Sequence, residues 1–246
     1  MKLNFTKIKN LIFGEVFPKN YKCFGCGEEL SSNTLYCFCD KCMDSLPFNN
    51  GKRCVKCSEP IGGMGEYCIH CKNIKPYFKK NVSIFLYKHP INNMIRNLKY
   101  DNRKYYADTL SNFIASEVVK MDVNFDFVIP VPMHPIRQKK RGYNQAELLC
   151  NSLKDNLMLN VDTTLLIKSR DTLSQARLTR SERIENLENA FVVNDKSKIK
   201  GKIILLVDDV FTTGTTINEC SKTLLDAGAK AVYSITLAHA DTKVLF

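Results

Sequence analysis

Two sets of residues in this chain could do chemistry by type and spacing. The first is a string of thiols. Cys23 and Cys26, Cys39 and Cys42, Cys54 and Cys57, and Cys68 and Cys71 make four Cys-x-x-Cys pairs. Each pair can curl into a knuckle that offers two thiolates to one metal ion, and two knuckles joined by a short hairpin make a closed zinc ribbon. Sequential pairing assigns Cys23, Cys26, Cys39 and Cys42 to one Zn²⁺, and Cys54, Cys57, Cys68 and Cys71 to a second. Spacing alone leaves an interleaved pairing open. Four thiolates leave no open position, so the role is structural. Cys37 is spare; it could replace Cys39, but only Cys39 keeps the two-residue spacing. His70 lies inside a knuckle and is expected to face solvent. Four evenly spaced pairs exceed what one redox dithiol needs.

The second set is Asp208 and Asp209, with Thr212, Thr213, Gly214, Thr215 and Thr216 behind them. The run Ile203 to Val207 is aliphatic and reads as a buried parallel strand. A helical pattern from Ile217 to Leu225 follows. Strand, loop and helix in that order place free backbone N–H groups and the positive end of a helix at the turn, which suits a phosphate. Gly214 allows close backbone approach. The two carboxylates are acceptors at the mouth of the same loop. Acceptors beside a phosphate cradle suit a molecule with a phosphate and vicinal hydroxyls, a ribose 5-phosphate. The loops GxxxxGK[ST] and GxGxxG are absent.

Other elements must position these groups. A strand is expected at Val82–Tyr87, and a helix carrying Ile91, Met94, Ile95 and Leu98. A second helix runs from about Lys104 to Met121, and a strand from Phe125 to Pro130. After that strand comes the basic run Arg137, Lys139, Lys140 and Arg141, read as a flexible segment ordered by an anion; Arg and Lys are the groups that hold a pyrophosphate. A helix begins at Gly142–Gln145. Residues 169–178 read as a mobile lid, and Ala231–Leu237 as the last strand. Alternating strands and helices mean an α/β fold with a parallel sheet.

The stretch Ile203–Thr216 resembles the phosphoribosyl-pyrophosphate (PRPP) motif of type I phosphoribosyltransferases. The string Val131-Pro132-Met133-His134-Pro135 through Arg141-Gly142-Tyr143-Asn144-Gln145 is similar to the ComF family of phosphoribosyltransferase-like proteins. So are the Cys pairs, Leu98-Lys99-Tyr100, and the segment Gln175 to Asn186. The resemblance covers essentially the whole chain and implies a type I phosphoribosyltransferase-like parallel sheet flanked by helices, with a small N-terminal zinc-ribbon module. The expected organisation is a short helix at 1–20, a double zinc ribbon at 21–72 and the transferase-like domain at 82–246. The resemblance implies PRPP with Mg²⁺, Asp208 and Asp209 as catalytic residues holding the ribose hydroxyls, and the loop Thr212–Thr216 holding the 5-phosphate. Arg137, Lys140 and Arg141 are candidates for the pyrophosphate. Nothing identifies an acceptor or a general base. Three readings stay open: a transferase with an unknown acceptor, a nucleic-acid-binding competence factor that keeps the PRPP pocket, and a PRPP-sensing regulator. The resemblance favours the second, with other DNA-uptake proteins as partners.

Composition bounds these readings. The 246 residues suffice for one substantial core and a small module. No apolar run is long enough for a membrane span, and the first residues are too charged for a signal peptide. The expected location is the cytoplasm. Eleven cysteines there favour metal over disulfides. Cys150 and Cys220, in helical patterns, read as small buried apolar groups. The formal charge is +11; two Zn²⁺ sites at −2 each would bring it to +7. An anionic partner follows, and single-stranded DNA fits. Lys79, Lys80, Arg96, Lys99, Arg103, Lys104 and the 137–141 run supply cations, while Tyr87, Tyr100, Tyr105 and Tyr106 either stack bases or belong to the core.

Overall fold

The computed structural model describes residues 22–30, 35–172 and 180–240. The chain divides after Leu46 into two compact units, so the two groups of four cysteines fall in different units. The expected helix at 1–20 lies outside the described residues.

In the first unit, helix α1 (Asp40–Asp44) starts from Cys39 as its N-cap. In the second, α2 (Ile69–Asn73) is capped by the Cys68 sulfur, which accepts from the Cys71 N–H. Then come β1 (Asn81–Leu86), α3 (Ile91–Tyr100), α4 (Tyr106–Lys120), β2 (Phe127–Pro130), α5 (Pro135–Arg141) and α6 (Gln145–Leu157). The chain continues through β3 (Leu166–Lys168), α7 (Arg180–Leu187), β4 (Phe191–Val193), α8 (Lys196–Ile199), β5 (Ile203–Phe211), α9 (Thr215–Asp226) and β6 (Ala231–His239).

The main sheet has the order β1-β6-β5-β2, every pair parallel. The sequence expects that architecture, since β5 reads as a continuous aliphatic run buried on both faces. Ile204 and Leu206 enter one core with Ile217, Cys220 and Leu224 of α9. With a side-chain period of two, Leu205 and Val207 face the other way. There α6 packs on β5 and β2, and α4 packs on α6, β1 and β6. Cys150 and Cys220 are fully buried in their helices.

Three features depart from expectation. The basic run after β2, expected as a flexible segment, is helical. It forms α5, because Pro135 sits in the first turn and the His134 ring accepts from the Ile136 N–H at the N-cap. β5 runs on through both acids to Phe211, four residues past the aliphatic run. A second, antiparallel pair, β3 with β4, is too short to show a period in the sequence.

Candidate functional site

The site is built on the carboxyl end of β5, near the middle of the sheet, where parallel sheets place ligands. Because side chains alternate along a strand, Asp208 and Asp209 point to opposite faces. Asp209 is 3% exposed. Its Oδ1 lies 2.7 Å from Lys99 Nζ, and its Oδ2 has no hydrogen-bond partner among the described residues. Lys99 arrives there because Ile91, Met94, Ile95 and Leu98 bury the apolar stripe of α3 and turn the next residue toward β5. The Tyr143 hydroxyl donates to the Leu98 carbonyl and pins that turn. Burial pulls the Lys99 pKa down, but the Asp209 carboxylate outweighs it, and the net shift is upward. Asp208 is pushed up to about 7, first by burial and then by the charge of Asp209.

The loop behind the acids is shaped by one glycine. Gly214 caps α9 with φ +74°, and a Cβ there would collide with the Phe211 ring. The N-cap glycine has no side chain to cap this helix; Thr213 Oγ1 accepts from the Thr215 N–H at 3.5 Å, and the Thr213 and Thr215 hydroxyls bond each other at 2.8 Å. The first-turn N–H groups of a helix have no intrahelical acceptor, so this loop keeps donors for an anion.

Opposite stand the cations. Asp208, Asp209, Thr212 and Thr216 line a cleft of about 410 Å³ together with Lys99, Arg137, Arg141 and Lys168. Arg137 is held by Asp171 at 2.9 Å and also donates to the Thr172 carbonyl. Arg141 donates to Gln145 Oε1 at 2.6 Å and lies over the Tyr100 ring. Asn144 positions this wall: it caps α6 through the Ala146 N–H and donates to the Val131 carbonyl. Lys168 has its pKa lowered, by burial first and then by Arg137. The cleft thus sets two acids and a donor-rich turn against fixed positive charge, an arrangement suited to a polyanionic sugar phosphate.

Of the residues singled out from sequence, Asp208, Asp209, Thr212, Thr216, Arg137 and Arg141 meet in this cleft. Thr213, Gly214 and Thr215 line an adjoining pocket of about 50 Å³. Lys140 is exposed and stands outside the cleft lining. Residues 173–179, most of the expected lid, and the side chains of Arg180 and Arg183 lie outside the described residues. Sequence reasoning assigned no cleft role to Lys99 or Lys168. Lys99 had a signal, being the residue after a complete apolar helical stripe. Lys168 had none, because the strand that carries it is three residues long.

The thiols gather into two tetrads, Cys23, Cys26, Cys39, Cys42 and Cys54, Cys57, Cys68, Cys71, each with all sulfurs within 4.8 Å of one another. A tetrahedral zinc site with arms of about 2.3 Å has sulfur–sulfur edges of about 3.8 Å. The structure has 3.7 Å for Cys23–Cys39, 3.8 Å for Cys26–Cys39 and 3.6 Å for Cys57–Cys68. The residues therefore fit Zn²⁺. In the first tetrad, the Gly25 and Cys39 N–H groups point at the Cys23 sulfur. A Cβ on Gly25 would lie 2.7 Å from the Cys42 sulfur. Cys37 is buried, and its carbonyl accepts from the Phe24 N–H.

The tyrosines divide. Tyr100 and Tyr105 are 70% and 51% exposed, whereas Tyr106 is buried and Tyr87 is half-buried in the cleft wall. No described helix is long and apolar enough to cross a membrane.

Comparison with known proteins bears on the family of the chain. The phosphoribosyl transferase domain family matches residues 110–245. The chain is 31% identical to Competence protein F of Haemophilus influenzae over 229 residues, covering 90% of this chain and 98% of that protein. It is 32% identical to DNA utilization protein YhgH of Escherichia coli, covering 73% and 80%. It is 27% identical to Competence protein ComFC of Streptococcus pneumoniae, covering 89% and 100%.

Proposed function

We propose, from the premise that this chain belongs to the ComF family of phosphoribosyl transferase domain proteins, that it binds PRPP with Mg²⁺ in the cleft at the end of β5 and acts in the handling of incoming DNA. One observation carries the ligand: a buried carboxylate, Asp209, that spends one oxygen on Lys99 and leaves the other without a partner beside the phosphate loop. A buried acceptor left unsatisfied costs about 1–3 kcal/mol, which a ribose hydroxyl would recover.

In this reading Asp208 and Asp209 hold the ribose hydroxyls, and the loop from Thr212 to Thr216 holds the 5-phosphate. Arg137, Arg141 and Lys168 face the pyrophosphate. Lys140 stays in the electrostatic surround as an exposed cation. The metal rides mainly on the substrate's own oxygens, so no protein cage is required. The two tetrads hold structural Zn²⁺, the protein works in the cytoplasm, and single-stranded DNA and other DNA-uptake proteins are its partners. The names of the relatives support the DNA role, and the charge of the chain agrees with it.

The test is a thermal shift. At about a hundredfold over its dissociation constant, PRPP with Mg²⁺ should stabilise the fold by about 2.7 kcal/mol. Asp208→Ala with Asp209→Ala should abolish that shift; a shift that survives the double substitution would reduce the motif to a structural turn.

A second reading, transfer of ribose 5-phosphate from PRPP to a nucleobase or amine, is favoured by Asp208. A carboxyl pushed up to about 7 can take a proton at neutral pH, as a general base must. Pyrophosphate release on mixing PRPP with candidate acceptors distinguishes this reading from binding alone.

A further inference from the structure

We propose that the second tetrad, acting through the strap Tyr77–Phe78 and Asn218, is a positioning element of the phosphate loop. Metal at this tetrad and phosphate at the loop then stabilise each other. The inference rests on the reading of Thr212–Thr216 as the PRPP phosphate site.

Three independent features carry it. First, tetrad and loop face each other across the pocket of about 50 Å³: Cys57 and Cys71 line one side, and Thr213, Gly214 and Thr215 the other. Second, the strap that leaves the tetrad is fastened to the loop. The Tyr77 N–H donates to Asn218 Oδ1 at 2.8 Å, and Asn218 sits in the first turn of α9, where its own N–H bonds the Gly214 carbonyl at 2.8 Å. The Phe78 ring, 2% exposed, meets Phe211 edge to face with centroids 6.0 Å apart. Phe211 in turn fills the space that a Cβ on Gly214 would need. Third, the Cys54–Cys57 knuckle is bonded to the sheet. Asn81 donates to the Cys57 carbonyl at 3.1 Å, its carbonyl accepts from Ser58 Oγ at 2.7 Å, and its N–H bonds the Lys56 carbonyl at 2.8 Å. The Asn81 Oδ1 accepts from Ser234 on β6, the strand paired with β5.

The physical consequence is linkage. Four cysteines closed around a metal hold the knuckles, the knuckles hold the strap, and the strap holds the loop in the shape that presents its N–H groups. Without metal the strap loses its anchor, and the binding-competent loop is populated less, which lowers apparent affinity by the same fraction. Coupling free energies are reciprocal, so PRPP must tighten metal at this tetrad by the factor that metal tightens PRPP.

The experiment uses the full chain loaded with zinc. Zinc release to a chromogenic chelator is followed with and without PRPP and Mg²⁺, beside a PRPP binding isotherm. The expected result is two release phases, with PRPP slowing one of them by about fivefold or more. That phase persists in Cys26→Ser, which leaves the second tetrad complete. Asn218→Ala combined with Phe78→Leu should keep both zinc ions, weaken PRPP about fivefold or more, and erase the effect of PRPP on release. A residue that only supports the fold would lower the melting temperature without uncoupling zinc release from PRPP. PRPP that binds the wild type yet leaves both phases unchanged overturns the inference alone, as does a double variant that binds PRPP normally and still slows release. A flat PRPP isotherm on the wild type overturns the functional reading as well.

Discussion

The two tetrads share a motif and differ in setting. In the first, only Cys23 is buried, Cys26 is exposed, and the ligands belong to a unit of their own. In the second, all four cysteines are buried and join the apolar core that also holds Ile204, Leu206 and Phe211 of β5. The same pair of Cys-x-x-Cys knuckles therefore yields a small separate module in one place and part of the sheet's own core in the other. Four Cys-x-x-Cys pairs specify how a metal would be held; the residues around each knuckle specify what it would hold up.

The largest expected effect tests that difference directly. Structural zinc contributes about 10–16 kcal/mol in small domains, which matches or exceeds the total stability of about 5–15 kcal/mol. Cys71→Ser should therefore cost one zinc and lower the melting temperature of the unit Pro47–Phe246 by several degrees or more. Cys26→Ser should cost one zinc and leave that transition within about 1 °C, since its effect stays in the other unit. Calorimetry with metal analysis checks both variants. Equal damage from the two would end the comparison.

The next effect moves from metal to charge within the second unit. Lys99→Met keeps the buried stem but strands the Asp209 carboxylate, which is 3% exposed. Removing one member of a buried pair costs about 3–5 kcal/mol, and Lys99→Met with Asp209→Asn should recover most of it. Denaturant melts read the difference. A Lys99→Met variant as stable as the wild type would mean the pair is not a determinant of the site.

How much of this was legible beforehand follows from the range of each interaction. The β5 strand, its acids and the threonine loop could be read because they are contiguous, and the tetrads because knuckle spacing is local. The ordering of Pro135–Arg141 was missed, although its signal was there: a proline in the first turn and a histidine able to cap it. Lys168 and Asn218 could not be read. Lys168 lies on a strand too short for periodicity, and the importance of Asn218 comes from a bond to Tyr77, 141 positions away. The tetrads looked equivalent because burial is decided by distant residues such as Asn81 and Phe211, which carry no thiol signature.

A smaller effect sharpens the site through pH. The Asp208 carboxyl is raised from 3.8 to about 7 in the folded state, so the folded chain holds its proton more tightly than the unfolded chain. Unliganded stability is then highest below the unfolded value and falls as pH rises from about 4 through 7. Asp208→Asn should stabilise the unliganded protein at pH 8 by about 1–2 kcal/mol, a figure reduced for the partial solvent access of this side chain, and by nothing at pH 4. PRPP affinity runs the other way. The ionised carboxylate accepts from ribose hydroxyls, so affinity should drop as pH falls through about 7. Melting curves and isotherms across pH 5–8 check both slopes, and parallel slopes would contradict the assignment of Asp208 to the ribose.

The smallest effect on the fold asks which unit meets nucleic acid. A zinc ribbon can touch DNA, so the first tetrad is one candidate and the cations of the second unit are the other. Arg103 and Lys104 are exposed at the start of α4, with Lys104 over the Tyr143 ring at 4.8 Å and the exposed Tyr105 beside them. Cations next to an exposed ring form the kind of surface that tracks a single strand. If about five cations meet phosphates, log affinity should fall with log salt at a slope near −3.5, at about −0.7 per phosphate. Arg103→Ala with Lys104→Ala should flatten that slope by about one to two units, independent of DNA sequence, and leave the melting temperature unchanged within about 1 °C. Cys26→Ser should leave the slope alone. A slope flattened by Cys26→Ser and untouched by the double alanine variant would move DNA to the first unit. The two tetrads would then differ in partner as well as in burial, one serving nucleic acid and the other the phosphate loop.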